Sequence, residues 1–240
     1  LYKYYLMLLK GLSLNGDIFR LSIKELWQLY EYWTFLKLNR LLQNKYKMIK
    51  NNIIELDYSG INVTLSKGAQ AEVEYLNPIT GEKFRLSYNT KSGKGITTNQ
   101  KPDNILSLSK KDSEHQYKFI FDAKYRLNPA LEGTTYKNKY GQPGPEEDTI
   151  NTMHRYRDAI VYEDEQQFRR RMVGAYVLFP YPDEERFKKH PFYKSIDKVN
   201  VGAFPFLPGS TELVSQFLES VVEESPITNY ERNILPDGTE

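Results

Sequence analysis

The chain has no cysteine, which rules out disulfides and thiolate metal sites. The absence fits a reducing compartment, and a cytoplasmic location is expected. Histidine is scarce too. His115, His154 and His190 stand far apart, none in an H-x-x-x-H or H-E-x-x-H pattern, so a zinc hydrolase is disfavoured and hard oxygen ligands suit a metal better. There is little excess charge: the net value is +2 over 240 residues, so any basic surface for a polyanion must be local. The apolar run within residues 1–14 is too short for a membrane span and lacks a small-residue cleavage site, so no membrane association is expected. No helix-turn-helix, zinc finger or other base-reading motif is present, so sequence specificity is not expected to lie in this chain.

The length suits one domain over 1–240 with a sizeable core. Because Leu1 lies within a predicted element, a C-terminal piece of a longer polypeptide is expected. Helices are predicted in 1–50. The first covers residues 1–10, with breaks at Gly11 and Asn15-Gly16. The second begins at Ser22, whose spacing from Glu25 is that of a capping box, and its wide apolar girth runs from Leu26 to Leu42. On a helical wheel Glu31 falls among Trp27, Phe35, Leu38 and Leu42, whereas Lys24, Gln28 and Asn39 fall on the wet side. A carboxylate in that position needs a partner. A backbone group or a lysine would serve, and so would a metal.

From Ile53 the pattern changes to short alternating runs, and a β-meander is predicted over 53–126. Its strands are Ile61–Leu65, Ala71–Leu76 and Lys83–Tyr88, the last two joined by a turn at Asn77–Gly81. A polar, basic, glycine-containing loop at 90–101 precedes Pro102. Two further strands, Asn104–Leu108 and Tyr117–Lys124, form an antiparallel hairpin about a charged turn. Strand side chains alternate, so Asp122 and Lys124 project from one side and Ala123 from the other. With Asp103 at the same end of the hairpin, two carboxylates and one ammonium converge. Like charges at short range raise one another's pKa, so the arrangement asks for a cation.

Residues 127–147 hold three prolines and three glycines without periodicity, as a long functional or disordered loop would. The region 148–224 is predicted as helix, strand, strand, helix, with a tail over 225–240. Asp148 can cap a helix that runs to Val161 and carries His154, Arg155, Tyr156 and Arg157 within about a turn. These side chains could meet a phosphate; equally, Met153, Tyr156 and Ile160 could be core, with the arginines solvated or paired with Asp158 or Glu163. The charged run 163–171 suggests a wet helix face or loop. Met172–Pro180 is predicted as a central buried strand reached by a crossover, 181–198 as loop, Val201–Leu207 as an edge strand and Leu213–Val222 as the last helix.

The blocks L-W-Q-L-Y-E-Y-W, P-D-N-I-L, F-D-A-K-Y-R, M-H-R-Y-R-D-A, G-A-Y-V-L-F-P and V-G-A-F-P-F-L-P-G, in this order, resemble the PD-(D/E)XK nucleases over most of the chain. Within that superfamily they are similar to nuclease domains associated with DUF524/DUF2357 modules and to McrC-type subunits. The resemblance implies an α/β restriction-endonuclease-like core, a central mixed β-sheet flanked by helices. It implies a Mg2+-dependent DNA endonuclease, with Mn2+ able to substitute. By position Asp103, Asp122, the Ala123 carbonyl and Glu31 match metal ligands, and Lys124 matches the catalytic lysine. His154, Tyr156 and Arg157 depart from the Gln-x-x-x-Tyr pattern of one branch and are assigned to DNA contact with Arg126, Lys137 and Lys139. The implied setting is a restriction and defence system with DNA as substrate, and with a McrB-like AAA+ GTPase or a second copy as partner. Two alternatives stand beside it: a catalytically idle binding domain on the same fold, and a nuclease acting on RNA or branched DNA.

Overall fold

Alternating apolar and polar positions from Ala71 onward build one sheet, and the computed structural model describes the chain at residues 23–52, 71–89, 101–111, 113, 116–164, 167–170 and 172–231. Seven strands, β1 (Lys47–Asn51), β2 (Ala71–Leu76), β3 (Lys83–Tyr88), β4 (Asn104–Ser109), β5 (Gln116–Ala123), β8 (Met172–Phe179) and β9 (Val201–Pro205), lie side by side in the order β1-β2-β3-β4-β5-β8-β9. Each neighbouring pair from β1 to β5 is antiparallel; β5, β8 and β9 are parallel. This is the mixed α/β sheet with flanking helices that the sequence predicts. Every residue of β8 is buried, as expected of a parallel strand covered on both faces. Pro205 closes β9 at the sheet edge, where a missing N–H does least harm.

Helices cover both faces. On one lie α1 (Ile23–Gln43) and α7 (Glu212–Glu223), packing Phe35, Leu38, Leu42, Val214, Phe217 and Val221 over Val73, Leu86, Phe119, Phe121 and Tyr176. On the other, α3 (Glu147–Ala159) carries β5 across to β8 and sets Ile150, Met153 and Tyr156 against Ile120, Ala175 and Val177. Gly202 lets the chain beside β9 approach closely: a Cβ there would lie 2.3 Å from the carbonyl oxygen of Phe192.

Several expectations are corrected. Asn39, assigned to the wet side of α1, is buried because β2 supplies a phenol: Tyr75 Oη donates to Asn39 Oδ1 at 2.7 Å, and Asn39 Nδ2 donates to the Phe35 carbonyl at 2.8 Å. Trp27, counted in the apolar girth, is 49% exposed. The stretch 127–147 contains α2 (Thr135–Tyr140), capped by Thr134 and closed by Gly141 in the left-handed region at φ 72°. Within the charged run, β6 (Val161–Asp164) pairs antiparallel with β7 (Gln167–Arg170), rather than forming a helix face or loop. The charged segment 181–198 holds three helical turns, α4 (Glu184–Phe187), α5 (Pro191–Lys194) and α6 (Ile196–Val199), pinned by Phe187 and Ile196. Asp148 does not cap α3; Glu146 precedes the helix, and Asp148 turns to Arg126. The tail begins with α8 (Pro226–Glu231), docked where Tyr117 Oη donates to the Pro226 carbonyl at 3.2 Å. The predicted helix at 1–10, the Ser22–Glu25 capping box, the strand Ile61–Leu65, the loop before Lys101 and His115 lie outside the described residues.

Candidate active site

The hairpin register brings the two aspartates together. Asn104 pairs with Phe121, so Asp103, just before β4, lies beside the end of β5, and its Oδ2 accepts the Ala123 N–H at 2.9 Å. Two further bonds hold that end: the Asn89 N–H donates to the Asp103 carbonyl at 2.8 Å, and Asn104 Nδ2 donates to the Phe121 carbonyl at 3.0 Å. The Lys124 N–H extends the pairing with β8 by a bond of 2.9 Å to the Leu178 carbonyl. Its side chain folds back so that Nζ forms an ion pair with Asp122 Oδ2 and lies 3.4 Å from the Ala123 carbonyl oxygen. Asp122 and Lys124 therefore share one side of the strand, as alternation requires.

Asp122 is fully buried, and its polar neighbours are the Lys124 ammonium and the backbone and carboxyl of Asp103. Burial raises its pKa, and Lys124, followed by Asp103, offsets this in part. Asp103 is held well above the ordinary carboxylate value by burial and then by Asp122. The pKa of Glu31 on α1 is raised by burial, with Lys124 acting against this and Asp122 adding to it, so the third predicted acid lies within electrostatic reach of the pair. Burial works against the charge of Lys124, but Asp122 and Asp103 outweigh it and raise the pKa, keeping the ammonium protonated at neutral pH. The donor set is all hard oxygen, with two carboxylates raising one another's charge cost, and this fits a divalent cation such as magnesium. Among the described residues, no three His, Cys, Asp or Glu side chains are drawn close enough to enclose an ion by themselves.

The predicted DNA contacts fare differently. Tyr156 reaches the site: its pKa is raised by burial and then by Asp122, and its hydroxyl lies 3.5 Å from the Lys101 carbonyl, at the long limit of a hydrogen bond. Arg126, Lys137, Lys139 and Arg157 are engaged elsewhere. Arg126 Nη2 donates to both oxygens of Asp148 at 2.8 Å and to Thr149 Oγ1 at 2.6 Å. Lys139 pairs with Glu147 at 3.0 Å and Lys137 with Glu132 at 3.1 Å. Arg157 pairs with Asp158 at 3.1 Å and also holds the Val199 carbonyl. His154 is half-buried, and burial followed by Arg157 lowers its pKa. Sequence reasoning missed Tyr88, a buried phenol whose pKa is raised by burial, then by Glu31 and Asp103. The signal was available, since the β3–β4 register sets Tyr88 opposite Asn104, the neighbour of Asp103.

Comparison with known families gives one match. Residues 28–184, from within α1 to the start of α4, match the model of the PD-(D/E)XK nuclease superfamily. No curated protein and no solved structure matches the chain.

Proposed function

This chain belongs to the PD-(D/E)XK nuclease superfamily, and on that footing we propose that it is a Mg2+-dependent endonuclease hydrolysing phosphodiester bonds in DNA. The observation that carries the proposal is the convergence of the fully buried Asp122 carboxylate with Asp103 and the Lys124 ammonium at one end of β5. Asp103, Asp122, the Ala123 carbonyl and Glu31 would hold the cation. A cation held there would supply polarisation of the phosphodiester and activation of water near neutral pH.

The chain's own groups do the rest. The Ala123 N–H fixes the Asp103 carboxylate, so one of its oxygens is oriented before any ligand arrives. Lys124, protonated under the influence of the two aspartates, donates to water or to a phosphate oxygen and offsets negative charge developing there. Glu31, on α1 and within electrostatic reach of Asp122 and Lys124, would support the cation from the helix side. The resemblance of its sequence blocks to McrC-type subunits supports a role in restriction of foreign DNA, aimed by a McrB-like AAA+ GTPase.

The test is calorimetric titration of Mg2+ or Mn2+ into wild type, Asp103→Ala and Asp122→Ala, with plasmid cleavage assayed on the same samples. Wild type is expected to bind metal and to nick or linearise DNA, and each variant to lose both properties. Metal binding and cleavage that survive both substitutions would overturn the assignment. Nucleic-acid binding without metal-dependent cleavage in wild type would favour the idle domain.

A further inference from the structure

We propose that Trp27 and Tyr125 form a base-stacking surface at the mouth of this site, so that the strand being cut is unpaired next to the scissile phosphate. The inference rests on the proposed location of phosphodiester chemistry at Asp103, Asp122 and Lys124.

On α1, Trp27 is three residues before Tyr30 and four before Glu31, so all three lie on one side of the helix. Tyr30 is buried and fixed: its hydroxyl donates to the Phe206 carbonyl at 2.7 Å, and its ring stacks on Trp33 at 5.7 Å with an interplanar angle of 24°. Trp33 in turn rests on Phe206 at 5.0 Å. Tyr125 follows Lys124 directly, and its ring packs on Tyr30 at 5.2 Å while remaining half-exposed. Trp27, by its spacing along α1, and Tyr125, by its ring contact just after β5, both neighbour Tyr30, with Glu31 on the same helix side and Lys124 next to Tyr125 in the chain. Among the described residues the other exposed large apolar side chains are Met48, Ile49, Ile79, Leu131 and Ile227; Trp27 alone is aromatic.

An isolated exposed tryptophan would need no explanation. Here a second, part-exposed ring emerges one residue after the lysine of the site. Aromatic rings with cationic groups along the backbone path are what an unpaired strand requires, because every base offers a π-face once it leaves the duplex stack. Lys101, exposed just before Pro102-Asp103, and Lys124 supply cations on that path. In an intact duplex the base faces are occupied by neighbouring bases, so these rings have nothing to stack on.

The test uses wild type in EDTA, so that binding is read without cleavage, with an oligothymidylate and a duplex of equal length as probes. The chain has two tryptophans, Trp27 and Trp33. Single strand is expected to quench tryptophan emission and the duplex not to. By the anisotropy of labelled probes, Trp27→Ala is expected to weaken single-strand binding roughly tenfold, within the range set by alanine substitution of stacking residues. Duplex binding should be unchanged, and Trp27→Phe should recover most of the loss. Tyr125→Leu, which keeps an apolar contact with Tyr30, should reproduce the effect if Trp27→Ala does not fold. Equal quenching by both probes, or single-strand affinity within about twofold of wild type in the folded variants, overturns the proposal. Loss of metal-dependent cleavage in wild type with this binding pattern intact would count against the nuclease assignment alone.

Discussion

Acidification should loosen the segment that carries Arg126, Lys137 and Lys139, through one buried histidine. His190 is fully buried among Phe187 at 4.8 Å, Phe192 at 5.0 Å, Tyr140 at 5.2 Å and Tyr136 at 6.4 Å between ring centroids. Its Nδ1 accepts the Phe192 N–H at 3.1 Å, so that nitrogen is unprotonated. Burial alone depresses its pKa to about 4. In the unfolded chain the same side chain titrates near pH ~6.5. The unfolded state therefore binds the proton first, and the stability contributed by neutral His190 is lost as pH falls from about 6.5 towards about 4. At about 1.4 kcal/mol per pH unit the loss is about 2 kcal/mol by pH ~5 and about 3 kcal/mol below both pKa values. The assay is urea unfolding at several pH values for wild type and His190→Asn, which keeps an N-cap acceptor for Phe192 but cannot titrate. Asp103, Asp122 and Glu31, with raised pKa values, act in the opposite direction, and Asp148 and Glu147, with lowered ones, in the same direction. All five are common to both proteins and cancel in the difference. The wild-type curve should fall more steeply between pH ~7 and pH ~5 by about 2 kcal/mol; parallel curves would refute the reasoning.

Two further outcomes separate site from surface. Glu31→Gln leaves both aspartates in place and should weaken Mg2+ affinity roughly 10- to 100-fold, as loss of a supporting ligand does, without abolishing cleavage at saturating metal; calorimetry and plasmid cleavage across a Mg2+ series read this, and an unchanged affinity would remove Glu31 from the site. Arg126→Ala breaks an exposed pair with Asp148 and should cost less than about 1 kcal/mol of stability. If Arg126 leaves Asp148 for a phosphate, its loss also reduces the salt dependence of DNA binding by about one phosphate contact, and an unchanged salt slope would confine it to the ion pair.

The parts of the fold legible in the sequence are those where one physical pattern dominates. Alternation along Tyr117–Lys124 sets Asp122 and Lys124 on one side, and the continuous apolar run Met172–Phe179 identifies a strand buried on both faces. The illegible parts depend on partners distant in sequence. Asn39 looks solvent-facing on a wheel, but its partner Tyr75 lies 36 residues on, in another element. Arg126 looks free for DNA until the chain returns 22 residues later with Asp148. β1, with the sequence K-M-I-K-N, is exposed at all five positions and carries no alternation to find. The helical turns at 184–199 were hidden by charge, since the few buried residues that hold them, such as Phe187 and Ile196, are outnumbered by exposed ones.

The position of the acids follows from the topology. β5 is the last strand of the antiparallel half and the first of the parallel half, so the start of β4 and the ends of β5, β8 and β9 all reach the same sheet edge. The chain leaves that edge at Lys124 to make the crossover through α3. Asp103 stands there just before β4 and Asp122 and Lys124 at the end of β5, with Glu31 on the helix of one face and Tyr156 on the helix of the other in electrostatic reach. The separate packing of the two faces, Phe119 and Phe121 towards α1 and α7 and Ile120 towards α3, holds β5 from both sides. The strand can therefore carry a buried carboxylate at its end without the adjoining core having to absorb the charge.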